Sequence, residues 1–255
     1  MLIVISPSKT LDFERPITGE LYTQPEFIKE SCVLIKPLRK LSVDQLMKLM
    51  DISPKLAQVN QERYYLWRPE FSPPTARQAL YAFRGDVYIG LDADTLSSSE
   101  IDSAQKSLRI LSGLYGVLRP LDLIRPYRLE MGISLSGSKY GNLYEFWQKK
   151  ITAKIREDLD KSGSNLLINL ASVEYFKAID PKKLKAEIVT PEFREAKEGT
   201  YKILSFFAKK ARGMMTRFIL QNGIDTEDQL QAFDRDGYCF NNRLSERGRP
   251  VFTRG

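Results

Sequence analysis

The chain has 255 residues, of which 42% are hydrophobic and 28% are charged, and its formal net charge is +7. This composition is typical of a globular protein with a sizeable core, and the positive charge favours an anionic partner such as nucleic acid or a phosphorylated ligand. No apolar run approaches the roughly 18 residues of a membrane-spanning helix, so we expect no membrane association. Histidine is absent, which excludes histidine-based catalysis and nearly all zinc, haem and non-haem iron sites.

The N-terminus and the cysteines indicate a cytoplasmic protein. The first residues, MLIVISPSKT, contain only a short apolar run, and no basic residues precede it. We therefore expect that they do not form a signal peptide. Cys32 and Cys239 are far apart in the chain, as expected for inert thiols in a reducing compartment. We expect no cofactor and no resident metal, although a metal site made only of carboxylates stays open.

In chain order, the sequence predicts strands at 2–6, 86–91, 165–171, 186–193 and 201–208. Helices are predicted at 24–40, 42–51, 54–66, 74–83, 99–111, 142–161, 208–222 and 226–232. Two of these helices begin with the spacing of a capping box, Ser42 with Gln45 and Thr226 with Gln229. The mixture predicts an α/β fold of the mixed α+β kind, with a central sheet in a single domain over 1–255.

The segment 42–66 predicts two helices joined by a short hairpin. Ser53 suits the N-cap of the second helix and Pro54 its first position, so the outward-facing amides beside Lys55 would bind a phosphate. The pattern resembles a helix-hairpin-helix motif of DNA-repair proteins, but Asp51 and Ser53 occupy the positions of its two glycines. A plain bend in a helical layer is the alternative interpretation.

Polar side chains follow two predicted strands at the points where those strands end. Ser8, Lys9 and Thr10 follow the first strand, whereas Asn169, Ser172, Glu174 and Tyr175 lie at the end of the 165–171 strand. Ligands of α/β sheets bind at the carboxyl ends of strands. We therefore expect these side chains to converge on one cleft.

The segment 111–132 carries two Arg-Pro steps and two early glycines, which predict loops of fixed geometry. Arginines on rigid loops bind carboxylates or phosphates bidentately. The candidates in this segment are Arg119, Tyr127, Arg128 and Glu130. A structural network of these arginines with Asp122 and Glu130 is an equally good interpretation.

The segment 205–219 predicts a basic helix. Lys209, Lys210, Arg212 and Arg217 occur there without an intervening acid, and such cations supply phosphate contacts rather than sequence readout. Gly213 would let a backbone or a ligand approach the helix closely. A solvated basic face is the alternative.

Four segments together resemble the signatures of the YaaA family of bacterial peroxide-stress-resistance proteins. They are LIVISPSKTLDF, LSGLYGVLRPLDLIRPYRLEMG, NLASVEYFK and SFFAKKARGMMTRFI, and the resemblance extends over essentially the whole chain. It implies a cytoplasmic protein that protects against hydrogen peroxide and limits free iron, with a family-specific fold, a basic cleft, a helix-hairpin-helix element and DNA binding. On this chain it implies a hairpin at 51–57, and a cleft that uses Lys9, Arg119, Arg128, Lys209, Lys210 and Arg212. It implies no catalytic residue.

We therefore expect a protein of the peroxide response that binds double-stranded or structured DNA without sequence specificity. A chain without histidine is a poor iron chelator, so an effect on iron would be indirect. One alternative is an enzyme acting on a nucleotide, a phosphorylated small molecule or damaged DNA in the same cleft, with Glu130, Glu174 or Tyr175 as acid or base. A second alternative is a basic surface that binds an acidic protein.

Overall fold

The computed structural model describes residues 1–15, 21–135 and 141–255. Its α-helices are Ile28–Leu38 (α1), Val43–Met50 (α2), Pro54–Leu66 (α3), Ala79–Ala82 (α4), Asp86–Leu91 (α5), Ser98–Ser107 (α6), Leu143–Ser162 (α7), Val173–Phe176 (α8), Pro181–Leu184 (α9) and Ser205–Asn222 (α10). Its strands are Leu2–Ile5 (β1), Thr10–Leu11 (β2), Arg77–Gln78 (β3), Phe83–Arg84 (β4), Leu108–Ser112 (β5), Gly116–Leu118 (β6), Leu123–Ile124 (β7), Leu166–Leu170 (β8), Glu187–Val189 (β9), Glu192–Lys197 (β10), Thr200–Lys202 (β11), Cys239–Phe240 (β12) and Val251–Arg254 (β13). The mixed α/β class is confirmed. No helix in these ranges is both long and apolar enough to cross a membrane.

The largest sheet has the strand order β6-β5-β1-β8-β9. Its neighbours β5, β1, β8 and β9 run parallel, whereas β6 is antiparallel to β5. Every residue of β1, β5 and β8 is buried, as the continuous apolar runs of β1 and β8 predict for strands covered on both faces. Because β5, β1 and β8 are parallel, their carboxyl ends open at the same edge of this sheet.

A second sheet has the order β11-β10-β13-β12 and lies beside α10. Its core contains an aromatic cluster in which the rings of Phe193, Phe233 and Phe252 lie within 6 Å of one another. The short pairs β2–β4 and β3–β7 fasten the loops that follow β1 and precede α5. Helix α10 contacts both larger sheets, through β8 and β10, and packs most extensively against α5.

Several predicted elements are wrong. Residues 86–91 form helix α5 instead of a strand, although Val87, Tyr88 and Ile89 have strand propensity, because tertiary packing overrides propensity in so short a segment. The helix predicted at 99–111 ends at Ser107, and 108–112 form the buried strand β5. A short apolar run such as 108–112 is compatible with a helix or a strand. Its pairing with β1 makes this segment a strand. Similarly, the strand predicted at 201–208 ends at Lys202, and α10 begins at Ser205.

Helices α5 and α10 cross at two glycines. A Cβ atom on Gly213 would lie 1.8 Å from the Val87 carbonyl oxygen, and one on Gly90 would lie 2.1 Å from the Lys210 carbonyl oxygen. Only glycine permits two backbones to approach this closely. The close approach that the sequence predicts at Gly213 is therefore made by the backbone of α5, which fixes the orientation of α10 and of its cations.

Candidate functional site

The carboxyl ends of β1 and β8 meet at two serines. The hydroxyl of Ser6 accepts a hydrogen bond from the Ser172 backbone amide at 2.9 Å and donates one to the Ser172 hydroxyl at 3.3 Å. The Tyr88 hydroxyl donates to the Ser6 carbonyl oxygen at 3.1 Å and so ties α5 to the same point. These contacts bring the two polar strand ends together, as the sequence predicts.

Beside this junction lies a cavity of about 440 Å³, hereafter the cleft. Residues 6–10, 85–88 and 127–130, with Ser172, Glu174, Tyr175, Lys209 and Arg212, line it. The sequence-predicted residues among them are Ser8, Lys9, Thr10, Tyr127, Arg128, Glu130, Ser172, Glu174, Tyr175, Lys209 and Arg212. The structure thus brings five separate segments of the chain to one concave site, and four of them carry residues that the sequence predicts.

One wall of the cleft is a charge cluster around Glu130. One oxygen of this carboxylate accepts hydrogen bonds from Nε and Nη2 of Arg128 at 3.1 and 2.9 Å. The other oxygen is 2.9 Å from Nζ of Lys9. Two cations thus share one carboxylate, and Nη1 of Arg128 makes no hydrogen bond to the described residues. Glu174, which also lines the cleft, accepts a hydrogen bond from the Gly132 amide at 3.0 Å.

A second part of the cleft lining is the side of α10 that carries Lys209 and Arg212. Within the described ranges, no carboxylate forms an ion pair with either side chain. Burial lowers the pKa of Arg212, and the more distant charge of Glu192 partly opposes this effect. Glu192 is itself paired with Arg194 and Arg249. Arg212 is therefore a half-buried cation that faces the cleft without a carboxylate of its own.

Three tyrosines form the floor of the cleft, and all of them are protonated at neutral pH. Burial raises the pKa of Tyr127, of Tyr88 and of Tyr175. The Tyr127 and Ser112 hydroxyl oxygens are 2.6 Å apart, which links the floor to the end of β5. Since its pKa is raised, Tyr175 can donate a hydrogen bond here but cannot act as a base at neutral pH.

Six of the predicted site residues lie outside the cleft: the hairpin residues Ser53 and Lys55, and Arg119, Lys210, Arg217 and Asn169. Arg119 binds the Asp122 carboxylate and the Gln24 carbonyl oxygen, which agrees with the alternative of a structural arginine network. Lys210 is 3.2 Å from the Asp236 carboxylate, and Arg217 donates to the carbonyl oxygens of Leu91 and Asp92. Asn169 is buried, where its amide donates to the Thr190 hydroxyl and its carbonyl oxygen accepts from the Ala171 amide.

The predicted hairpin lies between α2 and α3. Ser42 forms the predicted capping box with Gln45, and Ser53 caps α3 by accepting a hydrogen bond from the Leu56 amide at 3.4 Å. Asp51 ends α2 with a left-handed φ of 51°, a conformation in which glycine carries no strain. Ser53 and Lys55 are exposed at this tip. The two helices are present, and their use as a DNA-binding motif remains a prediction.

The cleft is also lined by residues that the sequence does not single out, among them Ser6, Gly85 and Asp86. Ser6 lies at the end of β1 and could have been found from its position before Ser8. Gly85 has a φ of 133°, and a Cβ atom there would lie 2.6 Å from the Ser8 hydroxyl. The sequence predicts that Asp86 lies in a strand, and this prediction offers no reason to place its carboxylate at the site. Among the described residues, no group of three or more Cys, Asp or Glu side chains could hold a metal ion.

Comparison with known proteins identifies the family. The family model described as peroxide stress protein YaaA matches residues 1–244. A UPF0246 protein of Aliivibrio fischeri strain ES114 is 54% identical over 254 residues, which cover 100% of this chain and 98% of that protein. A UPF0246 protein of Shewanella baltica strain OS195 is 52% identical, with 100% of this chain and 99% of that protein covered. The chain therefore belongs to the family of the peroxide stress protein YaaA.

Proposed function

We propose that this protein binds DNA through the phosphate backbone, largely without sequence specificity, and that it limits iron-dependent oxidative damage to that DNA in the bacterial cytoplasm. The observation that carries the proposal is the Arg212 guanidinium, which is half-buried in the cleft and has no carboxylate partner among the described residues. A cation in this state loses hydration without gaining an ion pair. A bound phosphate would supply the missing charge and accept charge-assisted hydrogen bonds.

Lys209 and Lys9 extend this cationic surface toward solvent. Lys9 is exposed and belongs to the cluster in which two cations share Glu130, so that cluster keeps a net positive charge. Asp86 and Glu174 oppose an anion in the same cleft. Binding therefore depends on where the cations lie and not on a large overall excess of positive charge. We expect exposed Ser53 and Lys55 to contact a neighbouring phosphate.

The test compares two double variants that remove the same charge from the same helix. Lys209→Gln with Arg212→Gln changes the side of α10 that lines the cleft, whereas Lys210→Gln with Arg217→Gln changes the side that is already ion-paired. Affinity is measured by fluorescence anisotropy on two duplexes of unrelated sequence.

The proposal predicts that the first variant loses at least about tenfold in affinity for both duplexes, while the second stays within about twofold. Equal losses in the two variants would mean that only net charge matters. Loss of affinity in the second variant alone would indicate that the other side of α10 forms the interface. Strong discrimination between the two duplexes by the wild type would contradict binding without sequence specificity.

The iron effect follows indirectly from this proposal. No histidine is available, and the described acidic side chains form no metal-binding group, so DNA bound to the protein would be shielded from oxidants that iron generates nearby. Titration of the purified protein with Fe(II) checks this. Stoichiometric, tight binding would contradict the indirect route.

A second candidate function is an enzyme that acts on a nucleotide or on another phosphorylated ligand. The cavity of about 440 Å³ falls within the ~300–1,000 Å³ typical of small-molecule sites. Its lining combines Arg212 with the carboxylates of Asp86, Glu130 and Glu174, and such carboxylates can exchange protons with a bound substrate. Incubation with nucleoside monophosphates, followed by mass spectrometry of the products, distinguishes this candidate from a protein that only binds.

A further inference from the structure

Two phenylalanines at the start of α10, Phe206 and Phe207, are exposed to solvent. All the other phenylalanines in the described ranges are buried or half-buried. The side chain of Phe206 is 60% exposed and that of Phe207 is 37% exposed. Tyr201 and Ile203, just before them in the chain, are exposed as well. Residues 201–207 therefore present an apolar patch, and contiguous exposed patches of this kind mark interaction sites.

The two rings have fixed orientations although they face solvent. The Phe207 ring lies under the Arg254 guanidinium, with 4.7 Å between the ring centroid and Cζ. That guanidinium is anchored by Glu195 at 2.8 Å and by Asp236 at 2.7 Å. The Phe206 ring meets the Phe207 ring edge to face, with the centroids 5.5 Å apart and the planes at 76°. A ring that is already oriented loses little conformational entropy when a ligand covers it.

Phe206 lies one helical turn before Lys209, which lines the cleft. Residues three apart on a helix are neighbours, with roughly 5–6 Å between their Cβ atoms. Side chains of a helix also point toward its N-terminus, so Lys209 extends toward the turn that carries Phe206. The patch therefore borders the cleft beside one of its cations.

The charges around the patch favour an anionic partner. Within 197–212 the only acid is Glu198, which is paired with Lys202 at 3.1 Å. Lys209 and Arg212 have no carboxylate partner among the described residues. Two copies of the chain that met symmetrically at the patch would bring these cations together. A flat anionic bilayer would cover the rings without reaching Arg212, which is half-buried in the cavity.

We infer that Phe206 and Phe207 form a stacking platform for an unpaired base of the nucleic acid whose phosphates bind Lys209 and Arg212. Aromatic side chains stack on every base, so the platform agrees with binding without sequence specificity. It makes an unpaired nucleotide, as in a bubble, a junction or a strand end, part of the ligand. The inference deepens the proposed function and rests on it, because it takes the anion in the cleft to be a nucleic-acid phosphate.

The experiment measures fluorescence anisotropy with two probes, a single-stranded oligothymidylate of about 12 nucleotides and a blunt-ended duplex of unrelated sequence. In Phe206→Ala, affinity for the single strand should fall by at least about fivefold, because one base loses its stacking partner. Affinity for the duplex should stay within about twofold, since paired bases do not reach the ring. Phe206→Trp keeps an aromatic face and should bind the single strand as the wild type does.

Tyr65→Ala is the matched control, because Tyr65 is 64% exposed, belongs to α3 and does not line the cleft. It should change neither affinity. A single strand that contains 2-aminopurine reports stacking directly, because the fluorescence of this base falls when the base stacks. The wild type and Phe206→Trp should quench this fluorescence more strongly than Phe206→Ala does.

Equal losses on both probes in Phe206→Ala, or no loss on either, would refute the platform, although duplex binding by the wild type would leave the proposed function intact. Self-association in light scattering, or sedimentation with phosphatidylglycerol vesicles, would also refute it if Phe206→Ala abolished that behaviour without changing affinity for the single strand. A wild type that binds neither probe would overturn the proposed function itself.

Discussion

The two sides of α10 carry similar cations in different electrostatic settings. On one side Lys209 and Arg212 line the cleft and have no ion-pair partner among the described residues. On the other side Lys210 pairs with Asp236, while Arg217 donates to two backbone carbonyl oxygens at the end of α5. A run of basic residues therefore does not define a binding surface by itself. The partners that the fold supplies decide which cations remain available to a ligand.

The largest expected effect is on stability, and it concerns the crossing of α5 and α10 at Gly213. Gly213→Ala should lower the free energy of unfolding by about 3 kcal/mol, because the new methyl group would overlap the Val87 carbonyl oxygen. For a chain of this size, the melting temperature should fall by roughly 6–12 °C in a calorimetric scan.

Gly163→Ala is the control for this prediction. It also has a positive φ, of 67°, but no atom lies within 4 Å of the added Cβ. Its cost should stay near 1 kcal/mol, since only backbone strain is added. Equal losses in both variants would show that the α5–α10 crossing accommodates a methyl group at position 213.

Arg217→Gln tests the structural side of the comparison. The substitution removes the donor to the Leu91 and Asp92 carbonyl oxygens and to the Thr95 hydroxyl. The free energy of unfolding should fall by about 2 kcal/mol, as measured by urea denaturation. Affinity for duplex DNA should remain within about twofold, since this guanidinium is already engaged. A large loss of affinity with unchanged stability would mean that Arg217 contacts DNA and has no structural role, which contradicts the assignment of the two sides of α10.

Arg212→Gln tests the side that lines the cleft, and the opposite pattern is expected. Affinity for duplex DNA should fall by about tenfold, or roughly 1.4 kcal/mol, because a half-buried phosphate contact is lost. Stability should be unchanged or slightly higher, since the substitution removes an unpaired, partly desolvated charge. Urea denaturation of the same preparation provides the second measurement. A loss of stability equal to that of Arg217→Gln would contradict the distinction.

The smallest expected effect is a difference in DNA affinity between variants of the adjacent residues Lys209 and Lys210. Lys209→Gln should weaken DNA binding by about threefold, because an exposed lysine contributes one screened phosphate contact. Lys210→Gln should leave binding within experimental error, because its ammonium group is paired with Asp236. Anisotropy titrations at low salt, where screened contacts are strongest, provide the measurement. If both substitutions have the same effect, the ion pair with Asp236 opens on binding.

The sequence predicted those parts of the fold that local signals determine. Helix α3 has the predicted bounds because Ser53 and Pro54 mark its start, and β1 and β8 follow from their continuous apolar runs. The sequence also predicted that Ser8 and Ser172 converge on one cleft, because the carboxyl ends of parallel strands lie at a common edge of the sheet. These signals act over a few residues or depend on simple topology.

The remaining features depend on contacts between distant segments. Nothing local shows that 86–91 are held as a helix by α10, or that 108–112 pair with β1. In the same way, Lys209 and Lys210 are indistinguishable in the sequence, and only the position of Asp236 separates them.

The salt dependence of duplex binding by the wild type and Arg212→Gln tests most directly whether Arg212 binds a nucleic-acid phosphate. For the wild type, the logarithm of the association constant should fall steeply and linearly with the logarithm of salt concentration, as several phosphate contacts require. In Arg212→Gln the slope should be smaller by about 0.9, the value of one lost phosphate contact. Identical slopes, or no binding of DNA by the wild type at moderate salt, would contradict the claim that this guanidinium binds a nucleic-acid phosphate.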